Sequence, residues 1–165
     1  MLSREIIGTT GKDDYETPQH LFDQLNARYH FTLDAAASAD NAKCARYFDK
    51  ARDALVQSWK GERVFLNPPY GKALPDFVKK AYQESLHGAL VVMLIPARTD
   101  TSYWHDYIFA HANIRFLRGR LKFSGLKSCA PFPSAVVVFG LHPPAGSAAV
   151  GESCNADIYQ LTETE

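Results

Sequence analysis

Arg63-Val64-Phe65-Leu66-Asn67-Pro68-Pro69-Tyr70-Gly71 is the stretch on which the fold turns. Its apolar first half reads as a strand over 63–67. Two consecutive prolines stop that strand, because neither carries an N–H to give to a ladder. Downstream, a helix is expected over about 75–86, with Phe77, Val78, Ala81 and Tyr82 on one face, and Gly88 breaks it. Residues 89–95 are then almost continuously apolar, as expected of a strand with helices on both faces of its sheet.

The same reading extends outward. Glu16-Thr17-Pro18 looks like a helix start, with Thr17 as the cap and Pro18 in the first helical position. Leu21, Phe22, Leu25 and Tyr29 continue it at helical spacing. Residues 31–34 read as a short strand ending on Asp34, 35–41 as a loop, and 47–48 as another short strand. Beyond the central unit, 101–111 reads as a helix, and 113–117, 120–123 and 134–141 as strands. Strands alternating with helices point to a doubly wound α/β domain over 15–142. Residues 1–14 are expected to form a flexible arm and 143–165 a mobile tail. In such sheets ligands sit beyond the carboxyl ends of the strands. Asp34, Asn67 and the Pro96-Ala97-Arg98 corner all fall at predicted strand ends, which gathers them towards one site.

Composition narrows the function classes. A chain of 165 residues suits one domain with a real core. It has no internal repeat and no apolar run long enough for a membrane span. Met1-Leu2-Ser3-Arg4-Glu5 lacks the apolar stretch of a secretion signal, so a cytoplasmic location is the expectation. Cys44, Cys129 and Cys154 are widely separated and suggest neither a disulfide framework nor a zinc site, and the histidines show no ligand spacing. No metal is therefore expected. Net charge is zero, yet no acid occurs between Asp106 and Glu152, while Arg115, Arg118, Arg120, Lys122 and Lys127 fall there. That local basic face is compatible with a phosphate backbone and equally with a solvated loop.

Asn67-Pro68-Pro69-Tyr70 has the parts an amino-methylating enzyme needs. The lone pair of an exocyclic amino nitrogen is delocalised into its ring, so the nitrogen is a poor nucleophile. Two acceptors aimed at its hydrogens draw it towards tetrahedral geometry. The Asn67 amide oxygen is one acceptor. The Pro68 carbonyl, held in a stiff turn, is the other. Tyr70 offers a flat face for a base to stack on. The plain alternative is a strand-terminating turn without chemistry.

Asn-Pro-Pro-Tyr at this place resembles the catalytic motif of amino-methyltransferases. More of the chain is similar to the phage-encoded DNA N6-adenine methyltransferases, the Dam-related family. The matching pieces are Tyr15-Glu16-Thr17-Pro18, Phe31-Thr32-Leu33-Asp34-Ala35-Ala36, Asn41-Ala42-Lys43-Cys44 and Asn67-Pro68-Pro69-Tyr70-Gly71. Pro96-Ala97-Arg98-Thr99-Asp100-Thr101, Gly119-Arg120-Leu121-Lys122-Phe123 and Ala130-Pro131-Phe132-Pro133-Ser134 follow. Together they cover about residues 15–140.

The resemblance implies a Rossmann-like S-adenosylmethionine-dependent methyltransferase fold, a compact single domain around a central, mostly parallel sheet. It implies methyl transfer to N6 of an adenine flipped out of double-stranded DNA, with S-adenosyl-L-methionine as cofactor and Asn67, Pro68, Pro69 and Tyr70 as the catalytic turn. Thr17 and Pro18 are similar to the segment whose backbone and hydroxyl hold the methionine end of the cofactor. Asp34 and Ala35 resemble the first cofactor motif. Asp53 and Leu55 resemble the pair that meets the cofactor's adenine, and Asp49 is the candidate for its ribose. Asp49 and Asp53 also read as ordinary surface acids. No glycine-rich loop follows Asp34, and the interval to Asp49 is too short for a full crossover helix. Arg98, Arg118, Arg120 and Lys122 are the candidates for DNA contact, with salt bridges as the alternative.

RNA and protein amino-methyltransferases share the proline turn, so they remain as rivals, as does a binding module that has lost catalysis. The resemblance suggests GATC as a target. No separate recognition domain is visible, so recognition is left to loops of the core, to 113–133, or to a second copy of the chain.

Overall fold

A computed structural model describes residues 15–141; the expected arm and tail lie outside them. Five strands form one sheet: β1 (Leu33–Asp34), β2 (Arg63–Leu66), β3 (Leu90–Pro96), β4 (Asn113–Phe116) and β5 (Ser134–Phe139). Their order is β1-β2-β3-β5-β4. β1, β2 and β3 pair in parallel, while β5 runs antiparallel to both of its neighbours. Four of the five strands therefore point one way, as expected of a mostly parallel α/β sheet.

Both faces of the sheet's centre are covered, which is why β3 and β5 are apolar without alternation. On one face α1 (Gln19–Tyr29) buries Leu21, Phe22, Leu25 and Tyr29 against Phe65, Val92, Leu94, Val136 and Val138. On the other, α2 (Leu74–Leu86) buries Leu74, Val78 and Ala81 against Val64, Leu66, Val91, Met93 and Val137. Odd and even positions of β3 serve different layers, so one substitution disturbs one layer only. Burial of each such large side chain contributes about 1.5–3 kcal/mol.

The outer edge of β1 matters most for function. Asp34 pairs with β2 through one edge and makes a single parallel bridge to Tyr47 through the other. The chain leaves β1 outward and returns inward to β2. Strand order thus reverses beside β1, and Asp34 and Asn67 stand at the carboxyl ends of β1 and β2, the position at which open α/β sheets bind ligands.

Several expectations are corrected. The helix begins at Gln19 with Pro18 as its N-cap, and Thr17 does not cap it; the Thr17 hydroxyl is engaged elsewhere. The strand expected at 47–48 is only the Tyr47 bridge. The helix expected over 101–111 is shorter, running over 102–108, and is π-helical at Trp104–Ile108, where Phe109 N–H donates to the Trp104 carbonyl at 2.9 Å. Residues 120–123 form no strand. Gly119 at φ +71° turns the backbone, and Ala130 N–H donates back to the Leu121 carbonyl, so 117–133 is a folded loop.

Candidate active site

β2 delivers its last residue, Leu66, fully buried, and the chain turns at Asn67-Pro68-Pro69-Tyr70. The Asn67 side-chain nitrogen donates to the Tyr15 carbonyl and to the Thr17 hydroxyl, the latter at 2.9 Å. A carbonyl can only accept, so the amide nitrogen must face it. That fixes the other end: the Asn67 amide oxygen is buried and has no hydrogen-bond partner among the described residues. A buried unpaired acceptor costs about 1–3 kcal/mol and calls for an explanation.

The segment that holds Asn67 is itself strapped down. Ser124 N–H donates to the Glu16 carbonyl at 2.9 Å, and the Ser124 hydroxyl donates to the Thr17 carbonyl at 3.5 Å. Thr17 is almost fully buried. The 117–133 loop, the 15–18 segment and the proline turn thus meet in one place, although they are far apart in the chain.

Tyr70 is buried, not an open platform. Its hydroxyl donates to the Leu94 carbonyl at 3.0 Å, and its carbonyl accepts from Arg98 at 3.2 Å. Burial, then the neighbouring Tyr15, hold the phenol well above its usual pKa, so it stays neutral. One face of the ring carries Tyr15, stacked at 5.2 Å. Phe132 stands edge-on to Tyr70 at 5.6 Å and Phe123 at 6.0 Å. The Arg98 guanidinium lies over Phe132 at 5.8 Å. Arg98 therefore braces the turn and the aromatic cluster, and its exposed side reaches solvent.

Asp34 closes β1 as a buried carboxylate. It accepts from Lys43 N–H at 3.0 Å and from Ala36 N–H at 3.3 Å, which folds the 35–43 loop back on itself. Burial raises its pKa, and these two N–H groups offset part of the rise. Ala35 is buried beside it and donates to the Phe65 carbonyl at 3.0 Å. The Lys43 ammonium continues to Gln19 at 3.0 Å and Glu16 at 3.7 Å, linking this loop to the start of α1. Burial and the Asp34 charge push the neighbouring Cys44 thiol up to about 11.

Asp49 and Asp53 lie farther along, in the turns after the Tyr47 bridge. The Asp49 carboxylate accepts from Arg52 N–H at 2.9 Å. Asp53, exposed at φ +48°, accepts from Leu55 N–H at 3.1 Å. Both bonds are local turn-forming ones, the role Asp commonly takes in loops. Leu55 is half-buried. Arg118, Arg120 and Lys122 are exposed on the stretch leading to Phe123.

Tyr15, Phe123 and Phe132 join the site in the folded chain although the sequence alone does not mark them as site residues; each lies in a segment that resembles the family. Their signal was the recurrence of aromatic residues in three otherwise polar or small motifs. Among the described residues, no group of three or more His, Cys, Asp or Glu is placed to hold a metal, and no helix is long and apolar enough to cross a membrane.

A family model described as DNA N-6-adenine-methyltransferase (Dam) matches residues 7–136. The chain is 38% identical over 98 residues to the DNA N-6-adenine-methyltransferase of Escherichia phage T1, a match covering 58% of this chain and 40% of that protein. It is 28% identical over 114 residues to the DNA N-6-adenine-methyltransferase of Haemophilus phage HP1 (strain HP1c1), covering 68% of this chain and 65% of that protein. The matched region thus spans less than two thirds of either phage relative.

Proposed function

The chain belongs to the DNA N-6-adenine-methyltransferase (Dam) family, and on that premise we propose that it transfers a methyl group from S-adenosyl-L-methionine to N6 of adenine in double-stranded DNA. The observation that carries this reading is the Asn67 amide oxygen, buried, unpaired among the described residues and fixed in direction by the two bonds on its nitrogen. An acceptor kept free at the mouth of a strand-order reversal is suited to an amino group brought to it.

Asn67 accepts from one hydrogen of the exocyclic amine and the Pro68 carbonyl from the other, which directs the nitrogen lone pair out of the ring plane. These acceptors bind the amine more strongly as positive charge develops on it, so they stabilise the transition state more than the ground state. Tyr70 supports the base from below, which requires the Tyr15 ring to yield its place on that face. Phe123 and Phe132 border the same space. Extruding a base from duplex DNA costs a few kcal/mol, and stacking in such an aromatic seat offsets part of that cost.

The residues at the end of β1 fit the cofactor. Asp34 is a desolvated carboxylate with only two of its about four acceptor positions used by backbone N–H groups. A cationic ligand there would relieve the cost of burying its charge. Thr17 and Pro18 through their backbone, Ala35 beside Asp34, and Asp49, Asp53 and Leu55 in the next turns are the residues that would hold the rest of it. When bound, S-adenosyl-L-methionine supplies an electrophilic methyl group on a sulfonium sulfur. Arg98, Arg118, Arg120 and Lys122 are assigned to the DNA backbone around the extruded base.

The test is transfer of tritiated methyl from the cofactor to duplex DNA, RNA and ribosomal protein offered in parallel. Label in DNA, recovered as N6-methyladenosine after digestion to nucleosides, is expected. Label confined to RNA or protein overturns the substrate assignment.

A further inference from the structure

We propose that Thr17 is a positioning residue for Asn67: its hydroxyl accepts from the catalytic amide and, together with the Tyr15 carbonyl that sets the amide's direction, holds it in place. The inference rests on the reading of Asn67 as the acceptor for the target amine. Thr17 is almost fully buried, and its hydroxyl oxygen lies 2.9 Å from the Asn67 side-chain nitrogen. The Tyr15 carbonyl takes the second hydrogen of that nitrogen. With both hydrogens engaged, rotating the amide by half a turn would press its oxygen against the Tyr15 carbonyl. The oxygen is therefore held in one orientation before substrate arrives, and the reaction incurs no reorientation of the amide.

The sequence assigns Thr17 a different task, as a helix cap, and resemblance adds the cofactor. The structure leaves the cap unmade and sends the hydroxyl to a residue fifty positions away. The strap from Ser124 to Glu16 and Thr17 holds the segment at the height this bond requires. A motif at the start of the domain and the proline turn thus act as one unit.

Thr17→Val removes the acceptor and keeps the shape. Loss of one neutral hydrogen bond that holds the amide should lower kcat on the order of tenfold. The Kd for S-adenosyl-L-methionine, read by calorimetry, should change by less than about threefold. Thr17→Ser should restore kcat to within about threefold. Because Thr17 acts through Asn67, the Thr17→Val/Asn67→Ala double variant should be no slower than Asn67→Ala alone. An unchanged kcat in Thr17→Val, a cofactor affinity that falls in step with kcat, or losses that add in the double variant each overturn the proposal. Asn67→Ala with near-wild-type turnover would instead sink the reading of the site itself. A second measurement needs no variant. In the folded wild type, the Asn67 side-chain N–H groups should be protected from hydrogen exchange, and exchange at the rate of a free amide overturns the proposal.

Discussion

Tyr15 lies face to face on Tyr70, with ring centroids 5.2 Å apart and planes 20° from parallel. An aromatic ring of the chain thus rests where the site would seat a base. Tyr15→Ala should free that face while keeping the backbone carbonyl that holds Asn67. A stacked aromatic pair is worth about 0.5–1.5 kcal/mol, so KM for DNA should fall by roughly two- to tenfold with little change in kcat. Steady-state kinetics on a target duplex reads this directly. A rise in KM would make Tyr15 a wall of the seat that the base needs.

Asp34→Ala should weaken binding of S-adenosyl-L-methionine by at least about tenfold, or about 1.4 kcal/mol. Two losses combine here: the carboxylate itself, and the anchors for Ala36 and Lys43 N–H that fold the adjoining loop. Calorimetry showing wild-type affinity would remove Asp34 from the cofactor site.

The proline turn, α2, β3 and the buried face of α1 were legible because local pattern decided them. Two prolines must end a strand, a long apolar run must be covered on both faces, and Leu21, Phe22, Leu25 and Tyr29 fall on one helical stripe. Placement of Asp34 and Asn67 at adjacent strand ends followed from the same logic. The rest depends on partners distant in the chain. Thr17 before Pro18 looks like a cap locally, and only the packed site reveals Asn67 as its partner. Residues 120–123 alternate like a strand, but Gly119 turns the chain and no neighbouring strand is offered. The free face predicted for Tyr70 ignored a ring supplied from the opposite end of the motif set.

Glu84 ties α2 to the loop that precedes β2. Its carboxylate accepts from Trp59 N–H at 2.8 Å and pairs with Lys80 at 2.5 Å. Burial acts to raise its pKa, but the Lys80 and Trp59 bonds outweigh it, so the net shift is downward. A depressed folded pKa means the stabilisation is full above the ordinary glutamate value of about 4.3 and is lost as pH falls through the lower folded value. Glu84→Gln should cost on the order of 1–3 kcal/mol at pH 7 in urea unfolding. The gap from wild type should shrink on acidification below about pH 4. A gap that is constant with pH would show that the charge of Glu84 contributes nothing.

Arg120 stands exposed beside Arg118 and Lys122, on the loop that leads into the aromatic cluster. If it neutralises a phosphate, Arg120→Ala should lower the log–log salt slope of DNA affinity by about one unit. Target and non-target duplexes should be weakened alike. An unchanged slope and affinity would place Arg120 outside the interface, and a loss confined to the target duplex would make it a reader of sequence.

The most direct measurement is made in a bacterial host that lacks adenine methylation. Wild type and Asn67→Ala are expressed to equal soluble levels, and genomic N6-methyladenine is mapped and quantified. Wild type should place the mark at a defined sequence, and Asn67→Ala, folded and still binding cofactor, should reduce it on the order of 10²-fold or more. An unmarked genome with a folded, cofactor-binding wild type, or an Asn67→Ala genome marked like wild type, would contradict the assignment of this site to adenine methylation.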